Sequence, residues 1–129
     1  MAKIMIIEDD LSLSSLLKEY VKSLGHSVVM NYNPVSALRV LKSEKFDVLL
    51  TDVNMSPIDG YEMIYEVRSF NPKIKIIAMS GSFLDNQKCV ESASKSLINE
   101  GADIFMLKPF TMAELAINLD KLMSSTKAS

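Results

Sequence analysis

The chain has no tryptophan, one cysteine and one histidine, and each scarcity removes a class of chemistry. Without tryptophan there is no indole to stack on a flavin. No glycine-rich loop follows the first apolar run to cradle a nucleotide phosphate, because Ile4-Met5-Ile6-Ile7 leads straight into Glu8-Asp9-Asp10. A flavodoxin-like cofactor site is therefore disfavoured. The single cysteine, Cys89, excludes an internal disulfide and fits a reducing compartment. With only His26 beside it, no Cys/His cluster offers a soft zinc site. Cys89 reads as a free thiol beside a helix and His26 as a solvated turn residue. No apolar run approaches the ~18 residues of a membrane span. The N-terminus, with acid so soon after its short apolar run, does not read as a signal peptide. Membrane insertion is not expected, and the expected location is cytoplasmic. The net charge of −2 gives no reason to expect direct contact with nucleic acid.

What is present suits one soluble domain: 129 residues, 48% hydrophobic and 23% charged. Nine methionines are many, but methionine fills irregular cores. Apolar blocks alternate with blocks of helical period, the signature of βα units on a parallel sheet. Strands are expected at Lys3–Ile7, Ser27–Met30, Asp47–Thr51, Ile74–Met79 and Asp103–Leu107. The first run does not alternate, so that strand should be covered on both faces. Between them, Leu13, Leu16, Leu17, Tyr20, Val21 and Leu24 make one helical stripe that Gly25 ends as a left-handed cap. Asn33-Pro34 reads as an N-cap followed by proline at the first helical position, with Val35, Leu38 and Leu41 facing inward. A third helix runs from Gly60 to about Phe70, where Asn71-Pro72 stops it. A fourth spans about Asn86 to Glu100 and ends at Gly101. Thr111 and Glu114 have capping-box spacing and open the last helix, lined by Leu115, Leu119 and Leu122. The expected fold is a doubly wound five-stranded parallel sheet, order 2-1-3-4-5, in a flavodoxin-like three-layer sandwich. It occupies residues 1–124, with 125–129 a frayed tail or the start of a linker.

In such sheets ligands bind beyond the carboxyl ends of the strands, at a topological switch point. Three apolar runs end in chemistry there: Ile4–Ile7 in Glu8-Asp9-Asp10, Phe46–Thr51 in Asp52, and Ile104–Leu107 in Lys108-Pro109. Ser80 ends a fourth. Glu8, Asp9 and Asp52 held close and ionised would repel one another, which demands a cation. Mg²⁺, or Mn²⁺ in its place, suits a few carboxylates beside a phosphate. Asp52 could then be a nucleophile that forms an acyl phosphate, with Lys108 neutralising the transferring group and Ser80 hydrogen-bonding it. An acidic doublet after a strand also serves as a helix cap. Asp10 fits that role and is left outside the pocket.

The strings Ile6-Ile7-Glu8-Asp9-Asp10, Leu49-Leu50-Thr51-Asp52-Val53-Asn54-Met55, Asp59-Gly60, Ile77-Ala78-Met79-Ser80-Gly81 and Gly101-Ala102-Asp103-Ile104-Phe105-Met106-Leu107-Lys108-Pro109-Phe110 together resemble the receiver domain of two-component response regulators, over essentially the whole chain. The resemblance implies Asp52 as phosphoacceptor. It implies Asp9 as a direct Mg²⁺ ligand, Glu8 supporting through water, and the Asn54 backbone carbonyl as a further ligand. Ser80 would be the switch hydroxyl, Phe105 the switch aromatic and Lys108 the partner of the phosphoryl group, with a cis or kinked Lys108-Pro109 bond. A sensor histidine kinase or histidine phosphotransfer protein would supply the phosphoryl group. A downstream protein would read the surface of the fourth helix, fifth strand and fifth helix. The protein would be a switch rather than an enzyme, catalysing only its own phosphorylation and dephosphorylation.

Two departures from the family pattern stand out. Met55 is followed by Ser56 and then Pro57, so proline is shifted by one position. The stretch from Ser80 to Lys108 is about six residues longer than the family usually has, an insertion that costs little loop entropy. It falls around Ser82 to Glu100, where serines dilute the stripe Val90, Ala93, Leu97 and Ile98. Gly81 beside the switch serine should leave the phosphoryl group open to water and shorten its life. Two other readings compete. The chain could be the receiver fragment of a longer transcriptional or enzymatic regulator. It could instead be an aspartate-nucleophile phosphohydrolase of the haloacid-dehalogenase kind. The latter needs an aspartate two residues past the nucleophile, where this chain has Asn54.

Overall fold

The computed structural model describes residues 1–53, 60–81 and 87–127. Five parallel strands, β1 (Lys3–Ile7), β2 (Ser27–Asn31), β3 (Val48–Asp52), β4 (Lys75–Ser80) and β5 (Ile104–Leu107), lie in the order β2-β1-β3-β4-β5. They alternate with α1 (Leu11–Ser23), α2 (Pro34–Ser43), α3 (Gly60–Phe70), α4 (Gln87–Glu100) and α5 (Met112–Lys127). This is the doubly wound three-layer sandwich expected from the sequence.

The strands are apolar without alternation because each face meets helices. Met5, Ile7, Leu49, Ile76 and Ala78 face one layer, which packs on α2, α3 and α4 through Leu38, Ile64 and Leu97. Ile4, Ile6, Leu50, Ile77 and Met79 face the other, against Leu17 and Val21 of α1 and Leu115 and Leu119 of α5. Each fully buried Ile, Leu, Met or Val among them contributes about 1.5–3 kcal/mol.

The caps act as their chemistry requires. The Asp10 carboxylate accepts from Ser12 N and Leu13 N at 3.0 and 3.1 Å, satisfying amides at the start of α1. Asn33 does the same for α2 by accepting from Val35 N at 2.8 Å, with Pro34 at the first helical position. Thr111 Oγ1 accepts from Glu114 N at 3.0 Å. Gly25 sits at φ 95° and Gly101 at φ 124°, a region that penalises any Cβ.

Several apolar residues lie elsewhere than their spacing suggested. Leu16 and Leu24 of the first stripe are exposed, as is Val35, and the inward positions of α2 are Pro34, Ala37, Leu38 and Leu41. Ile98 is exposed, while Leu97 alone of the described α4 side chains is buried. His26 is half-buried rather than solvated, its Nδ1 accepting from Ala2 N at 3.1 Å. Helix α5 continues past Ser124 to Lys127, so the expected tail is helical over most of its length. Among the described residues, no helix is long and apolar enough to cross a membrane.

Candidate functional site

The strand register fixes where the polar residues emerge. Ile7 pairs with Thr51, and Asp52 pairs with Met79. Ser80 pairs with Leu107. Glu8, Asp52, Ser80 and Lys108 therefore leave four adjacent strands at the same edge, the carboxyl end. β1 and β3 are sequence-distant neighbours, and the chain leaves β1 toward β2 on the other side, so the crevice between them is the topological switch point. Backbone bonds hold the rim in place: Glu8 N donates to Asn31 O at 3.2 Å, Val53 N to Met79 O at 2.9 Å, and Lys108 N to Ser80 O at 2.8 Å.

Carboxylate oxygens of Glu8, Asp9 and Asp52 all lie within 4.8 Å of one another. Lys108 Nζ donates to Glu8 Oε1 at 2.5 Å and to Asp52 Oδ2 at 3.0 Å. Glu8 Oε2 accepts from Asp10 N at 3.1 Å. Glu8 is 1% exposed, whereas Asp9 is open to solvent. Burial raises the Glu8 carboxyl above its ordinary range, opposed by the Lys108 ammonium and the Asp10 amide. Burial works against the Lys108 ammonium too, but the Glu8 and Asp52 carboxylates outweigh it and raise its pKa. Lys108 thus bridges two of the three acids, Glu8 and Asp52, as a cation.

Every donor atom in that triad is a carboxylate oxygen, with no nitrogen or sulfur in the set. That chemistry fits a hard divalent cation, and the residues that would hold it are Glu8, Asp9 and Asp52. Asp10 is committed to the α1 cap, as its sequence position suggested.

The remaining expected residues sort as follows. Ser80 is fully buried. Phe105 pairs with Ala78, and its half-buried ring packs into the α2-α3-α4 layer. Strand residues two apart share a face, so Ser80 and Ala78 lie on the same side of the sheet as Phe105. The Lys108-Pro109 bond is cis, one of the two geometries that the resemblance implied. Asn54 and the Ser56-Pro57 shift lie outside the described residues, as does the stretch 82–86 of the longer Ser80–Lys108 segment.

Two features were not foreseen. A Cβ on Gly81 would lie 3.3 Å from Lys108 Cβ, so that glycine makes room for the lysine stem. Beside Lys108, an apolar recess is lined by Leu13, Leu16, Pro109, Phe110 and Met112. Leu16, a stripe position of α1 that the sheet leaves uncovered, contributes to it.

The family model for the response regulator receiver domain matches residues 4–120. The chain belongs to that family. Receiver domains are the signalling switches of two-component systems and meet histidine kinases and downstream effectors. Among similar curated proteins is the transcriptional regulatory protein ZraR of Klebsiella oxytoca, 28% identical over 126 residues, which are 98% of this chain and 27% of ZraR. The receiver thus spans about a quarter of that relative's length. Among solved structures, the Francisella response regulator 1452 receiver domain has a TM-score of 0.85 at 23% identity, covering 98% of this chain and 99% of that one. The receiver domain of the sensor histidine kinase PA1611 from Pseudomonas aeruginosa has a TM-score of 0.81 at 23% identity, covering 95% of this chain and 98% of that one. That structure has a magnesium ion coordinated in its active-site cleft. At such identities these likenesses show the fold.

Proposed function

We propose that this receiver takes a phosphoryl group onto Asp52 from a phosphohistidine of a sensor kinase or phosphotransfer protein, and that the modification changes the surface of α4, β5 and α5. The observation that carries this reading is the Asp52 carboxylate lying 3.0 Å from the Lys108 ammonium within a three-acid cluster. In the transfer, an Asp52 oxygen forms the new P–O bond while the P–N bond to the donor imidazole breaks. The imidazole leaves with the bonding pair. Lys108 follows the charge from the carboxylate to the incoming phosphoryl oxygens, which is the electrostatic stabilisation such transfers depend on. A divalent cation bound by the acids would supply the remaining neutralisation. Asp9, exposed beside the crevice, is suited to touch it directly. Glu8, whose two oxygens already accept from Lys108 and Asp10, is suited to act through water. The Asn54 carbonyl is carried over from the family pattern.

The switch needs an element with two arrangements. A phosphoryl dianion on Asp52 is a strong acceptor for the Ser80 hydroxyl, and a charge-assisted bond would draw that side chain toward it. Ser80, the small Ala78 and Phe105 share one sheet face, so movement at Ser80 opens space toward the ring. β5 is an edge strand, flanked by α4 on one face and α5 on the other. A partner that prefers one ring position would read the signal there and stabilise it in return.

The test is to incubate the chain with acetyl phosphate and Mg²⁺ and measure intact mass. One added phosphoryl group on the native chain and none on Asp52→Ala supports the reading. Labelling of both, or of neither, overturns it. The greater length of ZraR favours a second reading in which the same switch governs an output domain in a longer protein; the full open reading frame decides between them.

A further inference from the structure

At the opposite edge of the sheet from Asp52, a groove of about 920 Å³ runs beneath the amino ends of β1, β3 and β4. Its volume falls within the ~300–1,000 Å³ of small-molecule sites. Buried Ala2, Phe46, Ile74 and Leu119 form the floor. Leu24, after α1, and Ile117, on α5, are 41% and 57% exposed and line the walls with the half-buried Met123. Large apolar side chains left open around one concavity mark a place where something apolar is covered.

The rim is cationic although the chain as a whole is acidic. Lys45, Lys73 and Lys75 line it, and none has an ion-pair partner among the described residues. Met1 and His26 also line it, the His26 Nδ1 accepting from Ala2 N at 3.1 Å rather than adding a charge. Against the lysines are Asp47 and Asp120, and one Asp47 oxygen is engaged by Lys3 N at 2.8 Å. The amino ends of parallel strands are also where the intervening helices finish. Their carboxyl ends bring partial negative charge, so an anion there depends on the lysine side chains, and a single charge is disfavoured less than a double one.

We propose that this groove is a binding site for a small amphipathic monoanion, an aliphatic carboxylate whose chain lies along Leu24, Phe46, Ile117 and Met123 and whose head meets the lysines. The site lies at the far edge of the sheet from the acidic cluster and does not rest on the phosphoryl chemistry proposed above.

The test uses the intact chain and decanoate below its micellar concentration, followed by calorimetry and by amide chemical shifts. Saturable one-to-one binding is expected, with shifts concentrated at Leu24, His26, Lys73–Lys75 and Ile117 and none at Asp52. Lys73→Glu with Lys75→Glu should weaken decanoate about tenfold, since a charge-assisted contact is replaced by repulsion. Decyltrimethylammonium, with a like tail and opposite charge, should bind about tenfold more weakly than decanoate. Ile117→Asp, at an exposed position that should leave the fold intact by circular dichroism, should abolish binding. Shifts that spread over the surface without saturating, equal binding of the two amphiphiles, or lysine variants that bind as the native chain does would each overturn the proposal.

Discussion

Replacing Lys108 by methionine removes the cation while keeping most of the apolar stem. Glu8 is then left 1% exposed with one remaining partner, the Asp10 amide at 3.1 Å. Stripping one partner from a buried pair generally costs about 3–5 kcal/mol. Lys108 is 21% exposed, so water reaches its side of the pair, and the loss should fall nearer 2–3 kcal/mol. For a chain of this length that lowers Tm by roughly 10 °C. The assay is urea unfolding of metal-free protein. Adding Glu8→Gln to Lys108→Met removes the stranded charge and should return at least half of the loss, a coupling only a direct contact produces. Calorimetry gives an independent reading. The ammonium occupies Glu8 Oε1 at 2.5 Å and competes with any metal for the acids, so Lys108→Met should bind Mg²⁺ more tightly while accepting phosphate from acetyl phosphate far more slowly. A variant as stable as the native chain, or a double variant no better than the single, would refute the view that Glu8 depends on Lys108.

Three other outcomes follow from the geometry. His26 has its pKa lowered by burial and then by the nearby amino terminus. The folded chain therefore binds fewer protons than the unfolded one, and His26 contributes stability that is present above the ordinary value of 6.5 and lost as pH falls through its lower folded value. Denaturant midpoints across that window should fall more steeply for the native chain than for His26→Gln. Gly101→Ala meets both the φ of 124° and Arg68 Cγ at 2.6 Å from the new Cβ; it should cost about 1–3 kcal/mol, and less in an Arg68→Ala background, where only the backbone strain remains. Leu16→Asp places a charge in the apolar recess beside Lys108 and should slow transfer from a phosphorylated histidine protein without slowing labelling by acetyl phosphate. Equal slowing of both would remove the recess as a docking contact.

Strand positions were legible because a sheet covered on both faces leaves uninterrupted apolar runs, and helix starts because Asp10, Asn33 and Thr111 are caps with fixed spacing. From the strand ends alone followed the meeting of Glu8, Asp9, Asp52 and Lys108. Strand limits slipped by a residue because pairing does not stop with the apolar run: β2, β3 and β4 continue into the polar Asn31, Asp52 and Ser80. Leu16, Leu24, Val35 and Ile98 misled because helical spacing reports an apolar arc and cannot say how much of it the sheet covers. Hidden also was the His26–Ala2 contact, which joins two segments through a turn whose geometry no local pattern encodes. Arg68 was equally invisible. It donates to Gly101 O at 2.9 Å and Asp103 Oδ2 at 2.8 Å and also reaches Ile74 O, tying α3 to the far ends of β4 and β5.

That tie bears on how a signal would travel. Ser80 and Phe105 belong to the layer shared with α2, α3 and α4, and α4 commits to that layer, among its described side chains, only Leu97. Its carboxyl end is anchored: Gly101 N and Ala102 N donate to Ile98 O and Leu97 O at 3.0 Å, and Arg68 holds the Gly101 carbonyl. By contrast, α5 buries Leu115, Leu119 and Leu122 along its length. A side-chain change at Phe105 therefore meets, among the described side chains of α4, the single buried contact of Leu97 beside the anchored carboxyl end, while the opposite layer presents three buried leucines of α5. Small displacements are amplified where packing is sparse and damped where it is dense. Under the proposed phosphorylation of Asp52, the Leu97 contact and the Arg68 tie at the carboxyl end of α4 are where a change at Phe105 would act on that helix, and the more densely packed α5 is the wall beside it.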